Sequence, residues 1–459
     1  MEKMNEAGIA SAHVDTEPGK NEEEMALAQN EGRWWNWRVL MNLVIVGLAI
    51  GLFGYDNAFA SPLVSLPLFV EKFQGHPVAG QLIFTLFAPN LAAMVAGRFW
   101  NYMGVSILTN CSPIYISELV PAHVRARAVG LTVAGAGATS VIATVVVWAT
   151  SKYTSHWQYS APLAVQAALP VTFAILALLL TESPTWLVSH GRRDAARENL
   201  IILRGGNIAQ AERELCDIDL ALCSASEGGQ TLQFWEILNR KNIQRTLVAS
   251  AFISLGQVGG QILIGTYSTV ILVQSGVADP FKITIIIFLL QFVGTIVGPT
   301  LLDKIGRRPV ALVGFSLILI MDIIAGVLAC VGLKTQPQRT GLAALCIILS
   351  FANAASFQSI SYVLPTEIPT LRLREPTMSW TVFWSYTTAI LTTLIVPQIT
   401  AIDAGNLGAK AFLIFAGCMV ITLSLAFFFL PETSNRTLAE IDQLYESGLS
   451  KRHWKKGRS

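Results

Sequence analysis

The segment PVALVGFSLILIMDIIAGVLACVGL, residues 309–333, decides the fold class of this chain. It contains a single charged side chain, Asp322, among apolar and small residues. About 20 apolar residues in an α-helix are long enough to cross a hydrocarbon layer of about 30 Å. The segment therefore predicts a transmembrane helix.

Similar apolar runs recur on both sides of this segment. Hydrophobic residues make up 53% of the 459 residues and charged residues 14%, whereas soluble domains carry about 25% charged residues. Continuous runs favour helices over barrel strands, in which apolar residues alternate. The sequence predicts an all-α polytopic membrane protein, with further runs at 39–61, 78–97, 99–119, 128–150, 161–181, 244–273, 281–302, 341–365, 377–400 and 410–430.

Other function classes find little support in the sequence. The formal net charge of +2 does not indicate nucleic-acid binding. The sequence contains no Gly-rich phosphate loop, metal-ligand cluster or Ser-His-Asp arrangement. We therefore expect neither an enzyme nor a bound cofactor or metal.

Basic residues between the apolar runs predict the topology, because cytoplasmic loops are enriched in Lys and Arg. This rule places both termini and a charged central segment in the cytoplasm. The segment has helical spacing, which predicts a small cytoplasmic helical layer. The predicted organisation is a cytoplasmic tail at 1–38, an N-terminal bundle at 39–182, a linker at 183–243, a C-terminal six-helix bundle at 244–430 and a cytoplasmic tail at 431–459.

The two membrane halves repeat each other at a nearly constant offset. Glu118 and Glu367 are 249 residues apart, as are Arg125 and Arg374, and Glu182 and Glu432 are 250 apart. Parallel repeats of this kind recur in transporters, whose solute site lies between the halves. The repeat therefore predicts a transporter-like arrangement.

The same repeat reveals a gap in the first half. The loop 303–308 lies 64 residues before Glu367, so its counterpart should lie near position 54, which is inside the first apolar run. About two helices are therefore missing from the N-terminal bundle. The run 78–97 carries Pro89 and follows Pro77, so we expect a half-helix there, and about ten full spans plus a partial one in total.

Six motifs in order resemble the sugar-porter branch of the major facilitator superfamily, over roughly residues 39–445. Within this branch, a further group of residues, Tyr267-Ser268-Thr269, Gly276 and Asp279-Pro280-Phe281, resembles most closely the fungal maltose and α-glucoside permeases. The six motifs are Gly54-Tyr55-Asp56, Gly97-Arg98-Phe99, the segment 113–118, the segment 182–187, the loop 303–308 and Pro431-Glu432-Thr433.

This resemblance implies two helical bundles that alternate access to a central site. It implies that Asp56 takes up a proton and that Arg98 tunes its proton affinity; the alternative is a structural ion pair. It also implies a cytoplasmic charge network that ties the bundles together, although the same charges could be ordinary topology signals. The predicted network residues are Glu118, Arg125, Glu182, Asp303, Arg307, Arg308, Glu367, Arg374 and Glu432.

The solute site is the weakest match to the family. At positions where hexose porters carry Gln, Asn or Trp, this chain has Val133, Ile262, Tyr362 and Phe383. The polar candidates that remain are Gln257, Gln261, Tyr362, Ser385 and Tyr386, which could equally serve helix packing. Asp322 has no role in the resemblance: it is either a functional acid or a lipid-exposed defect.

The resemblance thus implies a monomeric, proton-coupled transporter of a sugar or polyol in the lipid bilayer, with the plasma membrane as the expected location. Two alternatives remain. One is a truncated, transporter-like protein without transport activity, because two helices of a six-helix bundle are missing. The other is a nutrient sensor, which the short tail after Pro431 disfavours.

Overall fold

The membrane-embedded part of the chain is helical, as the apolar runs predict. The computed structural model describes residues 36–68, 91–120, 125–227, 234–239, 242–370, 373–400, 405–434, 436, 438–447 and 454. In these ranges, nine helical rods are long and apolar enough to cross a membrane. The all-α prediction is confirmed.

The N-terminal half contributes four long helices to the described part of the chain. They are α1 (Trp37–Val64), α2 (Leu91–Leu119), α3 (Arg125–Thr150) and α4 (Trp157–Ala177). The predicted boundary between the runs 78–97 and 99–119 is wrong, because α2 continues through it. Arg98 is a good helix former and does not interrupt the helix; residues 78–90 lie outside the described ranges.

The C-terminal half contributes six membrane rods, two of which contain a wider, π-helical turn. The first rod joins α8 (Ile243–Gly256) and α9 (Ile262–Gln274) through the turn Gln257–Gln261. The fourth joins α12 (Gln336–Ala352) and α13 (Ser359–Glu367) through Asn353–Gln358. The remaining rods are α10 (Pro280–Ile305), α11 (Arg307–Val331), α14 (Arg374–Thr400) and α15 (Phe412–Phe429).

A helical layer connects the halves, in agreement with the predicted helical spacing. It consists of α5 (Pro184–Ser189), α6 (Arg193–Leu203), α7 (Ile208–Glu227) and a 3₁₀ turn at Phe234–Leu238. Its core includes Leu187, Leu200 and Leu215. Within the layer, Arg204 forms an ion pair with Glu214 at 2.8 Å and donates a hydrogen bond to the Leu119 carbonyl oxygen at 3.0 Å. The layer is therefore attached to the end of α2.

Glycine allows close packing between α1 and α3. A Cβ atom added to Gly54 would lie 2.0 Å from the Ala136 carbonyl oxygen. The Thr139 and Ser140 hydroxyls donate to the Gly51 and Gly54 carbonyl oxygens, both at 2.9 Å. The two backbones thus approach closely, as small residues permit in membrane helices.

The two halves meet through α1 with α9 and through α3 with α10. At the second contact, a Cβ added to Gly137 would lie 2.5 Å from the Phe292 ring. A buried cluster that includes Tyr55, Phe59 and Phe288 spans both halves. A larger core lies within the C-terminal half.

Candidate functional site

The carboxylate of Asp56 lies inside the N-terminal bundle. Its side chain is on α1 and is 1% exposed. The Gln166 Nε2 amide, from α4, donates a hydrogen bond to Asp56 Oδ1 at 2.5 Å. The neighbouring Tyr55 hydroxyl donates to the Pro162 carbonyl oxygen at 3.0 Å. Two successive residues of α1 therefore bind α4, one through a buried acid.

Sequence reasoning did not identify Gln166 as a site residue. It is an amide within the apolar run 161–181, and intramembrane polar residues are candidates for functional contacts. Arg98, the predicted partner of Asp56, lies on α2, but its side chain is outside the described part of the structure. The predicted pairing of these two residues remains a prediction.

The C-terminal half carries a compact charge cluster at the ends of its helices. The Arg307 guanidinium contacts Glu367 at 2.7 Å and Asp303 at 3.2 Å. The Glu432 carboxylate is 4% exposed and accepts the backbone N–H groups of Arg307 and Arg308, each at 3.0 Å. Two amides at the start of α11 therefore receive a carboxylate, as the helix dipole favours.

Two further contacts complete this C-terminal cluster. The Thr433 hydroxyl donates to Glu367 Oε2 at 2.5 Å. The Arg308 guanidinium donates to the carbonyl oxygens of Leu430 at 3.1 Å and Phe427 at 2.7 Å, which are at the end of α15. The structure thus brings together five of the predicted network residues: Asp303, Arg307, Arg308, Glu367 and Glu432.

The N-terminal half repeats one of these contacts. The Ser183 hydroxyl donates to the Glu118 carboxylate, and both residues are the repeat partners of Thr433 and Glu367. The Tyr115 hydroxyl donates to the Thr181 carbonyl oxygen; the offset of 249 pairs Tyr115 with Leu364, so this contact is particular to the N-terminal half. The repeat offset is therefore visible in the shared glutamate–hydroxyl contact.

Glu182 differs from its repeat partner Glu432. Its side chain is 55% exposed and pairs with Arg192 of the linker at 3.4 Å. The side chains of Arg125 and Arg374 are outside the described part of the structure. The hydrogen bonds and ion pairs described above join network residues to others in the same half or in the linker. The predicted charge network between the two bundles therefore stays a prediction.

The predicted solute residues are only partly assembled. Gln257 Nε2 lies 3.5 Å from the Ser385 hydroxyl, at the limit of a hydrogen bond. Gln261 lies at the other end of the same π-helical turn, and Tyr386 is 48% exposed on α14. The Tyr362 side chain is outside the described residues. A sugar site at these positions remains a prediction.

The π-helical turn beside Gln257 is bent by two glycines. Gly260 has φ of +98°, and the preceding Gly259 has ψ of +18°. A residue with a side chain rarely adopts such a positive φ. The turn is therefore a built-in break in the first rod of the C-terminal half, next to the predicted solute residues.

Asp322 lies on the buried face of α11 with 0% of its surface exposed. The alternative of a lipid-exposed defect is therefore wrong. The buried residues Gly314, Ile318, Asp322 and Ala325 follow helical spacing, so this face points into the C-terminal bundle.

Solved structures with the same fold define the class of protein. The inward-open xylose transporter XylE of E. coli matches with a TM-score of 0.65 and 19% identity, over 88% of this chain and 82% of XylE. A partially occluded XylE structure matches with a TM-score of 0.62 and 19% identity, over 87% of both chains. The chain is thus an integral multi-pass membrane protein with the major facilitator fold.

The family follows from the sequence. The family described as Sugar (and other) transporter matches residues 76–445, and the chain belongs to it. A hexose transporter of Saccharomyces cerevisiae is 26% identical, over 90% of this chain and 78% of the relative. A major facilitator-type transporter of Aspergillus rugulosus is 27% identical (80% and 70%), and a D-xylose-proton symporter-like protein of Arabidopsis thaliana is 28% identical (78% and 72%). These relatives are named as transporters, as predicted.

Proposed function

We propose that this protein carries a sugar or polyol across the plasma membrane by proton-coupled alternating access, with both termini in the cytoplasm. Family membership supports a sugar transporter, and the relatives include a hexose transporter and a xylose-proton symporter-like protein. The observation that carries the proton coupling is the buried Asp56 carboxylate held by Gln166. The motif Tyr267-Ser268-Thr269 supports an α-glucoside as the first solute to test.

In this proposal, Asp56 exchanges a proton between the two sides of the membrane. A carboxylate buried at this depth is costly and is stabilised by a partner or by protonation. The Gln166 amide can donate to the ionised form, or its carbonyl oxygen can accept from the protonated form after the amide rotates. Because Gln166 is on α4, the protonation state of Asp56 is linked to the packing of α1 against α4.

The proposed gate is the set of charge clusters at the cytoplasmic ends of both halves. The C-terminal cluster organises the ends of α10, α11, α13 and α15 around Arg307 and Glu432. Rigid bundles of this kind can rotate against each other when the pairs between them change. We assign Glu118, Glu182, Arg125 and Arg374 to the same gate because they occupy the repeat positions.

We also propose that the N-terminal bundle lacks about two helices. Four long helices are described between Trp37 and Ala177, against six rods in the C-terminal half. The extensive contacts of α14 in the described chain are with elements of the C-terminal half. This observation favours the second candidate function, a transporter-derived protein without transport, because an incomplete bundle leaves the pathway unclosed beside α14.

Uptake of labelled maltose and of labelled glucose tests the proposal. Transporter-deficient yeast expressing the chain would be assayed at about pH 5 and about pH 7.5, with surface expression measured in parallel. We expect faster uptake at acidic pH, and at least a tenfold loss of acid-stimulated uptake in Asp56→Asn. Asp217→Asn is the matched control, since Asp217 is exposed on α7 of the linker.

The outcomes separate the two candidate functions. Acid-stimulated uptake that depends on Asp56 supports the symporter. Uptake that is independent of pH and of Asp56 would retain a sugar transporter but refute the proton coupling. If neither sugar is taken up although the chain is present at the cell surface, the result would favour the inactive alternative.

A further inference from the structure

Asp322 is a second buried acid, in the half of the molecule opposite to Asp56. Its side chain is 0% exposed. Within the described residues, neither Oδ1 nor Oδ2 has a hydrogen-bond partner. A buried, ionised carboxylate without a donor is strongly disfavoured relative to a protonated one. Asp322 therefore requires a proton in the conformation described.

The neighbour of Asp322 is the break in the first rod of the C-terminal half. A Cβ added to Gly260 would lie 3.9 Å from Asp322 Oδ2. Gly260 has φ of +98°, so the regular helical ladder is interrupted at the point that the acid faces. A break of this kind is where a membrane helix bends and where its backbone groups need other partners.

Among the described residues, no ion pair of Asp322 is found inside the bundle. The elements that pack against α11 carry the thiols of Cys346 and Cys418 there. The Cys346 thiol is buried on α12. The charged residues of these elements lie at helix ends: Lys282, Asp303, Lys304, Arg339 and Lys410. The rod Ile243–Gln274 adds Tyr267, whose hydroxyl donates to the Thr393 carbonyl oxygen, and Arg245 near its start, which lies over the Tyr445 ring.

We propose that Asp322 is a second proton-binding site, which holds a proton while the rod Ile243–Gln274 is bent at Gly259–Gly260. When a rearrangement at this break admits water, the carboxylic acid releases its proton and the carboxylate is solvated. The reverse movement requires that the proton be taken up again. The site is separate from Asp56 and does not depend on which solute is carried.

Infrared spectroscopy of the purified full-length protein tests this proposal without a transport assay. Spectra would be compared between about pH 5 and about pH 9 in an Asp56→Asn background, which removes the other buried acid that the structure describes in the membrane helices. We expect a carboxylic-acid C=O band near neutral pH that Asp322→Asn removes. Asp217→Asn is the control, because Asp217 is exposed on α7 and should leave the band unchanged.

A second measurement tests whether the proton on Asp322 contributes to the stability of the folded protein. A folded state that holds a proton released on unfolding loses stability as pH rises. The melting temperature of Asp322→Asn should therefore fall less between neutral and alkaline pH than that of the unsubstituted chain. A carboxylic-acid band that persists in Asp322→Asn, or a spectrum in which Asp322 is ionised throughout this range, would overturn the proposal.

Discussion

The charged ends of the two halves use the same contact in different surroundings. In both halves a hydroxyl, Ser183 or Thr433, donates to the glutamate at the equivalent repeat position, Glu118 or Glu367. In the C-terminal half, the Arg307 guanidinium also pairs with Glu367, and two helix amides bind Glu432, the residue next to Thr433. The glutamate–hydroxyl pair is thus common to both halves, whereas of the second glutamates Glu432 is buried and Glu182 is exposed.

Glu182 and Glu432 differ in burial because they differ in the hydrogen-bond donors around them. Glu432 is buried because the start of α11 supplies two N–H donors. Glu182 has no equivalent loop in the described residues, and its carboxylate is exposed and pairs with the linker residue Arg192. A carboxylate remains buried only where donors replace its hydration.

The largest effect is expected from Arg307→Ala. The Arg307 side chain is 12% exposed, and its loss removes the ion pairs with Glu367 and Asp303. Removing one partner of a buried pair costs about 3 kcal/mol. Arg192→Ala, which removes the exposed pair with Glu182, should cost less than about 1 kcal/mol.

Unfolding free energies of these two variants, measured in mixed detergent micelles, test the contrast between the halves. Equal losses for Arg307→Ala and Arg192→Ala would mean that the two clusters do not differ in the way described. Arg307→Lys is a useful intermediate, since it keeps the charge and loses the planar donor arrangement.

A smaller effect is expected from Gly54→Ala in the N-terminal half. The added Cβ would lie 2.0 Å from the Ala136 carbonyl oxygen, so α1 and α3 must separate. Overpacking of this kind costs about 2 kcal/mol. Gly47→Ala, on the same helix, meets nothing within 4 Å and is the matched control. A melting temperature for Gly54→Ala equal to that of Gly47→Ala would contradict the close approach of these helices.

The smallest effect concerns the shared contact itself. Thr433→Val removes the hydroxyl that binds Glu367 and should cost about 1.5 kcal/mol. Ser183→Ala should cost a similar amount, because its hydroxyl binds Glu118 and also accepts the Trp186 N–H at 3.2 Å. The swaps Thr433→Ser and Ser183→Thr keep the hydroxyl and should change the unfolding free energy by less than about 0.5 kcal/mol. Equal losses for swap and removal would show that packing, not the hydrogen bond, sets the cost.

The sequence was sufficient for the helical architecture and for the repeat. Apolar runs of this length leave few structural alternatives in a membrane, and the offsets of 249 and 250 residues correctly pair Glu118 with Glu367 and Ser183 with Thr433. The continuous course of α2 through Gly97 and Arg98 was missed, because hydropathy falls at polar residues even where the helix continues.

The long-range partners of the site residues were not predictable in this way. Gln166 binds Asp56 across 110 residues of sequence, and Arg204 reaches the Leu119 carbonyl across 85. Which side chains meet depends on how each helix is rotated about its axis, and packing against neighbouring helices sets that rotation. Composition and spacing within a single helix do not contain this information.

The attachment of the linker to α2 has a practical consequence for following motion in this protein. Arg204 ties α6 to the end of α2, and the Asn36 amide donates to the Ile202 carbonyl oxygen at 3.0 Å. The helical layer should therefore move together with the N-terminal half as one rigid body. A dye on Cys216, which is exposed on α7, would report the position of that half from the aqueous phase, without a label in the bilayer.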